Sequence, residues 1–508
     1  MNDRNHPVPI GATCRGDFSR PSYVDHRHAL DQRPRATEVA PTVVNALFAA
    51  LCALSLSACT LGPDHVRPPL DVPAAFKEAG EWKPAEPVDQ VDPGAWWRIF
   101  NDPVLDALQA RVEVSNQNLR IAEAQYRQAV ALADAARASW LPAVNATAGG
   151  TRSATSAATD SAGSAPPRNS FSLGATASWE LDVWGRIARS VEAADARVVA
   201  SEADLAAARL SIQATLAQTY FQLRAAERQQ ALLEDAAAAY ERSFQLTRNR
   251  YNAGVAGKAD VAQAESQLRS ARAAALDSRL SRSQFEHALA VLTGQAPARF
   301  SLPPGGALPV VQGPRTLPST LLERRPDIAA AERRVAAANA AIGAAQAARF
   351  PVLGLSASAG FRRSQIEDLL TVPSRYWSLG PTLAASIFDA GARKAAVTQA
   401  QASWEQAVAT YRQTVLSAFQ EVEDNLAADR LLAEAAVEQA AAVAAAAEAE
   451  TIALNQYKAG TVSFINVLTA QTTHLGAQRS ANDLAARRLV AAVQLARNAG
   501  GDWRSAGK

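Results

Sequence analysis

Past position 59 the chain contains no cysteine, and its one methionine is Met1. With Cys14, Cys52 and Cys59 all near the start, neither a disulfide framework nor a cysteine zinc site is available to the rest. Histidine there is limited to His65, His287 and His474, far apart and without metal-ligand spacing. An excess of one charge is also missing: 51 basic against 49 acidic residues leave a net charge of +2. No basic stripe speaks for nucleic acid, and pairs such as Arg324-Arg325 and Arg333-Arg334 read as solvated helix faces. The phosphate-binding loop is absent as well, because Gly257-Lys258 is followed by Ala259 and Asn252 stands where its first glycine belongs. Gly354-Leu355-Ser356-Ala357-Ser358 fails as a nucleophile elbow at its last position. Without a convergent acid, base or metal set, an enzyme is the weakest reading, and no cofactor is implied.

One apolar run does occur, Thr42–Ala58, preceded by Arg33 and Arg35. It is short for a membrane span and reads as the core of a secretion signal. It ends in Leu56-Ser57-Ala58-Cys59, which looks like a bacterial lipobox, so Cys59 is expected as the acylated first residue of the mature chain. Several acyl chains, at about 0.8 kcal/mol per buried CH₂, anchor a protein stably to lipid. Residues 1–40 are rich in Pro, His and Arg and do not fit a signal. They imply either an unusually long presequence or a start placed too early.

The remainder is written twice. Asn118–Gly150 lies over Asp327–Ala359 at an offset of 209, matching Glu123 with Glu332 and Pro142 with Pro351. Gly185–Gly294 lies over Gly391–Gly500 at 206, matching Tyr251 with Tyr457 and Gly254 with Gly460. Two copies of so long a unit make a pseudo-symmetric architecture rather than a solenoid.

Each copy carries segments of strict period two. In Phe171–Val183 every odd position is apolar and every even one small or polar. Leu353–Arg362 and Trp377–Ile387 repeat the pattern, the latter with Pro381 intruding, and Val144, Ala146 and Ala148 give a weaker fourth segment. Such alternation predicts a sheet with one apolar and one wettable face, and transmembrane strands need only about 9–11 residues. Thr151–Ser170 and Arg363–Arg375 read as solvent-facing loops. Four strands cannot close a membrane barrel, whose smallest forms have about eight, and open edges are excluded from lipid. If these strands span a membrane, several chains must share one barrel: two would give eight strands and three would give twelve.

The absence of proline and internal glycine from Arg186–Tyr251 and Ala392–Tyr457 predicts two helices of about 100 Å each. Val397, Ala400, Trp404, Val408, Tyr411, Val415, Phe419, Val422 and Leu426 form a coiled-coil-like seam. Each helix meets a matched turn, Tyr251-Asn252-Ala253-Gly254 and Tyr457-Lys458-Ala459-Gly460, whose glycine supplies a left-handed cap. Second helices begin near Gly257 and Ser463, which puts Asp260 and Asn466 in the first turn, where a carboxylate favours the helix dipole. Helix-end chemistry alone accounts for these motifs as readily as a functional tip. Earlier in the chain, seven prolines between Thr60 and Pro93 predict extended segment, and Asp102-Pro103 a helix start.

By its residues the chain resembles the TolC-like outer membrane factors, in the NodT-type lipoprotein branch. The resemblance runs from Cys59 to Trp503 and is most specific in Trp96–Leu105, in Leu322–Gly360 and in the paired Tyr-x-Ala-Gly turns. It implies an α+β membrane protein whose four-stranded contributions form one trimeric outer-membrane β-barrel of twelve strands. Below the barrel it implies a long periplasmic α-helical coiled-coil tunnel. It implies a passive exit duct for small toxic compounds, with the turns at a gated periplasmic tip. The implied partners are a homotrimer, a periplasmic adaptor protein, an inner-membrane RND-type pump and outer-membrane lipid. Tyr457 and Asp260 match positions implicated in closing the tip, and Tyr251, Gly254, Gly460 and Phe464 belong to the same turns. Where relatives often carry aspartates, this chain has Asn466 and Thr469, so an apolar constriction by Phe464 and Ile465 is expected in place of an acidic ring.

The expected division is presequence 1–58, extended segment 59–101, first repeat 102–300 with a hairpin at about 142–183, and linker 301–320. A second repeat, 321–503, has its hairpin at about 351–389, and 504–508 form a tail. Two alternatives stand beside the efflux duct. One is the outer-membrane part of a type I polypeptide exporter; the other is a coiled-coil surface lipoprotein, which has no use for alternating hairpins.

Overall fold

The computed structural model describes residues 60–69, 77, 95–154, 166–305, 308–309 and 325–498. All of them fall within the unit Ala58–Lys508. Cys59, the presequence and most of the 301–320 linker lie outside the described residues.

The first helix, α1 (Pro103–Ser115), starts where Asp102 accepts the backbone N–H groups of Val104 and Leu105. Asn116 ends it and caps α2 (Gln117–Ala138) by accepting from the Leu119 N–H. Strands β1 (Ala143–Ser153) and β2 (Arg168–Leu181) follow. The long helix α3 (Arg186–Asn252) then turns into α4 (Lys258–Leu292). The second copy repeats this order with α5 (Pro326–Ala347), β3 (Val352–Arg363), β4 (Arg375–Ala384), α6 (Ala392–Ala459) and α7 (Phe464–Asn498). At 67 and 68 residues, α3 and α6 each run about 100 Å. Among the described residues no helix is long and apolar enough to cross a membrane.

The sheet is an antiparallel meander, β1-β2-β3-β4, in which β2 joins the two copies. Its register aligns Val144 with Ala177, Ala177 with Ala357 and Ala357 with Leu379. Thr176, Ser358 and Ser378 line up on the other side. The period-two pattern therefore produces one continuous apolar face and one polar face. The apolar face lies open: Trp377 is 79% exposed and Leu383 72%. β4 stops at Ala384, short of the expected Ile387, because its ladder partner β3 begins at Val352, just after Pro351. β1 and β2 in turn run further into the expected loop, to Ser153 and from Arg168.

The bases of all four strands carry aromatic or large apolar residues. Trp179 donates to the carbonyl of Trp140 (2.9 Å) and Trp184 to that of Pro351 (2.7 Å). Trp184 stacks on Phe350 with ring centroids 4.9 Å apart, and Ile387 and Phe388 stand in the open. Thr60 packs against Gly185 at this same level, and the Leu61 N–H reaches the Trp184 carbonyl.

Midway along the helices the main core gathers Trp96, Phe100, Leu105, Leu108, Tyr220 and Phe221 with residues of α4 and α7. Tyr220 donates to the Asp102 carboxylate, so the helix cap is itself tied to α3. The seam read along α6 is buried or half-buried, and Val408, Tyr411 and Val415 pack on Ile328, Ala331 and Val335 of α5.

Candidate functional site: the turn end of the paired helices

The two turns are built alike. The Val255 N–H bonds the Arg250 carbonyl (2.9 Å) and the Thr461 N–H bonds the Gln456 carbonyl (3.0 Å), the same bond in the 206 register. Gly254 (φ 76°) and Gly460 (φ 82°) take the left-handed conformation that closes each turn. The carboxylate of Asp260 accepts from the Gly257 N–H (3.3 Å), satisfying one free donor at the start of α4. Asn466 occupies the matching place on α7, and its own N–H bonds the Ser463 carbonyl.

Their surroundings are not alike. Tyr457 is 3% exposed, whereas its counterpart Tyr251 is 42% exposed. Phe464 packs edge-on against the Tyr457 ring at 5.5 Å, and Arg250 lies over that ring at 4.8 Å. The same guanidinium donates to the Lys458 carbonyl (3.3 Å), tying the end of α3 to the end of α6. Ala264 and Val467 complete the cluster. Burying Tyr457, Phe464 and Val467 stabilises the tip by about 1.5–3 kcal/mol each.

Phe464 requires a correction. It was expected beside Ile465 as part of an apolar constriction, but it is 2% exposed and spends its surface on Tyr457 within the same chain. Adjacent helical positions point about 100° apart, so when Phe464 faces the core Ile465 faces outward. Ile465 is 47% exposed, and Asn466 and Thr469 share its open face.

Above the turns a buried polar ladder joins α3 to α6 and α7. The Tyr457 hydroxyl donates to Thr247 Oγ1 in a long bond (3.4 Å), and Gln471 Nε2 donates to Ser243 Oγ (3.1 Å). The Tyr240 hydroxyl reaches the Gln471 carbonyl (3.4 Å), and burial raises its phenol above the usual range. His474 and Glu450 pair at 2.5 Å between α7 and α6. Arg250, Thr247, Ser243 and Gln471 were not found from the sequence. The signal available was the broken symmetry of the copies, since Gln456 stands opposite Arg250 and Ala453 opposite Thr247.

A protein with an open apolar sheet face and two helices of about 100 Å, each turning into a shorter one, has known counterparts. The family model described as outer membrane efflux protein matches residues 108–295 and 317–501. The chain belongs to the outer membrane efflux protein family. It is 34% identical over 467 residues to outer membrane protein OprJ of Pseudomonas aeruginosa, covering 90% of this chain and 95% of OprJ. To the toluene efflux pump outer membrane protein TtgC of Pseudomonas putida it is 32% identical, covering 90% of this chain and 95% of TtgC. Among solved structures it is similar to the outer-membrane channel OprN, with a TM-score of 0.79 and 30% identity over 88% of this chain and 100% of that one. Membership makes the chain an outer-membrane transport protein, not an enzyme. The large helical part fits the periplasmic portion of such channels.

Proposed function

We propose that the chain is the exit duct of a tripartite efflux pump, working as a homotrimer. The observation that carries this reading is the meander itself: one face apolar and open, and two outer strands, β1 and β4, each with a free edge. In lipid both edges need partners, and three copies supply the twelve strands of a closed barrel. Ile121 and Leu132 on α2, Leu276 and Leu280 on α4, and Leu431 and Val437 on α6 are exposed on the single chain and suit helix contacts between copies. The repeats 102–300 and 321–503 of the three copies then alternate around the wall, so that each chain forms one third of it.

Cys59, acylated, anchors the chain to lipid. It directly precedes Thr60, which packs at the strand bases among Trp184 and Gly185. Conduction is passive; energy comes from an inner-membrane pump through a periplasmic adaptor, and the cargo is small toxic compounds. Tyr251, exposed on the first turn, suits contact with the adaptor or a neighbouring copy. Tyr457, Asp260 and the two glycine turns hold the tip closed, with Arg250 as the latch between them. Ile465, Asn466 and Thr469 present a narrowing without carboxylates, in which Ile465 repels water.

Single-channel conductance of the reconstituted trimer tests this directly. Arg250→Gln removes a cation–aromatic contact of about 0.5–2 kcal/mol and raises open probability several-fold. Ile465→Ala widens the narrowing and raises conductance. If both variants conduct as wild type does, the gate lies elsewhere.

A further inference from the structure

The sheet ends differently at its two rims. At the helix end three arginines close to the strands have partners within the chain. Arg186 chelates Glu180, Arg189 bonds Asp64 and Glu192, and Arg393 bonds Ser386 Oγ and faces Asp389. At the far end stand Arg152 on β1, Arg363 on β3 and Arg375 on β4, all exposed. Among the described residues none of these three is ion-paired, although Glu367 and Asp368 lie in the adjoining loop.

All three side chains fall on the apolar face. Arg363 shares its parity with Leu355, Ala357, Ala359 and Phe361, and Arg375 shares its parity with Trp377 and Leu379. Arg152 shares its parity with Val144, Ala146 and Ala148. Arg375 lies over the ring of its ladder partner Phe361 at 6.0 Å, which holds the guanidinium on that face. From Leu353 to Phe361 the apolar stretch runs roughly 26 Å along the strand, or about 20 Å along the barrel axis at the 35–45° tilt of such strands. The outward apolar belt of such barrels is about 25 Å tall. The arginines lie at and just beyond the outer end of this stretch, Arg375 level with Phe361 and Arg363 two residues further on, on the side of the outer lipid headgroups.

Guanidinium groups bind phosphate through paired N–H donors, and they gain most where water is partly excluded. A row of exposed arginines without carboxylate partners on the lipid-facing side offers its N–H donors to an external anion. We propose that Arg152, Arg363 and Arg375 form a binding rim for the phosphate groups of an outer-leaflet glycolipid. The rim lies on the lipid side, so it recognises a headgroup and not material inside the duct. This inference rests on the membrane orientation given under the proposed function.

The test uses the full-length trimer in phosphatidylcholine vesicles containing bis-phosphorylated lipid A, measuring the glycolipid retained after detergent washing. Wild type is expected to retain it, while R152Q/R363Q/R375Q retains it about a hundred-fold less tightly, roughly five-fold per arginine. Dephosphorylated lipid A should be retained no better than by the variant, and inorganic phosphate should not compete. Equal retention by the variant, or of the dephosphorylated lipid, overturns the proposal. Displacement by inorganic phosphate also overturns it, by making the ligand a free anion. Should the triple variant fail to assemble, Arg363→Gln alone must show about the five-fold loss. Orientation is checked separately by Ser364→Cys on intact cells with a membrane-impermeant maleimide. Labelling only after the outer membrane is opened refutes the orientation; labelling without phosphate dependence refutes the rim alone.

Discussion

Tyr220 shows how much one side chain can carry. It is buried in the main core, donates to Asp102 and lies under the Arg224 guanidinium at 4.9 Å. Burial, followed by the Asp102 hydrogen bond, pushes its phenol up to about 12. An unfolded tyrosine titrates near 10. The folded state therefore holds the proton more tightly, and this contribution is complete below about pH 10 and lost as pH rises through 12. The thermal midpoint of the detergent-extracted protein should fall between those values, and Tyr220→Phe should flatten the fall while lowering the midpoint at neutral pH. A second residue-scale contrast is Tyr457 against Tyr251. Sequence marks them as equivalents, yet Arg250 and Phe464 cover one and nothing matching covers the other, because Lys258 stands opposite Phe464.

Among the elements, the glycine turns separate backbone cost from crowding. Gly254 has a φ of +76° and open space around an added Cβ, so Gly254→Ala should cost only the left-handed penalty of about 1 kcal/mol. Gly294 has a φ of +68° and would place a Cβ 2.2 Å from the Ser115 carbonyl oxygen, so Gly294→Ala must also move the end of α1. Heat dissociation of the oligomer should rank wild type above Gly254→Ala and Gly254→Ala above Gly294→Ala. The reverse order of the two variants would contradict these turn assignments. Elements of this kind were largely legible beforehand, since helices show in missing proline and glycine and strands in period two. Where a strand stops was less legible: Ile387 continues the alternation, but the ladder ends with its partner at Val352. Inside and outside at the tip were not legible at all. Phe464 and Ile465 are both apolar, and only helix phase against Tyr457 decides which one is buried. The Arg250 contact was hidden for a related reason, because it joins residues more than two hundred positions apart that no local pattern connects.

For the whole molecule, duplication and membrane spanning answer one another. A pseudo-repeat of helix, hairpin and long helix pair gives each chain two hairpins, joined through β2 and β3 into a sheet with two free edges. The helices alone could serve a fibre, but an open apolar sheet face cannot stay in water, and a sheet with free edges cannot stay in lipid. Both constraints are met when several copies close one barrel and extend their helices as one wall. The most direct test is the number of chains in the particle extracted from outer membranes, measured by mass in detergent and by resistance to SDS before and after heating. The account predicts three chains in a heat-modifiable particle. A stable single chain without β-strand signal in circular dichroism would contradict the duct and favour a coiled-coil surface lipoprotein.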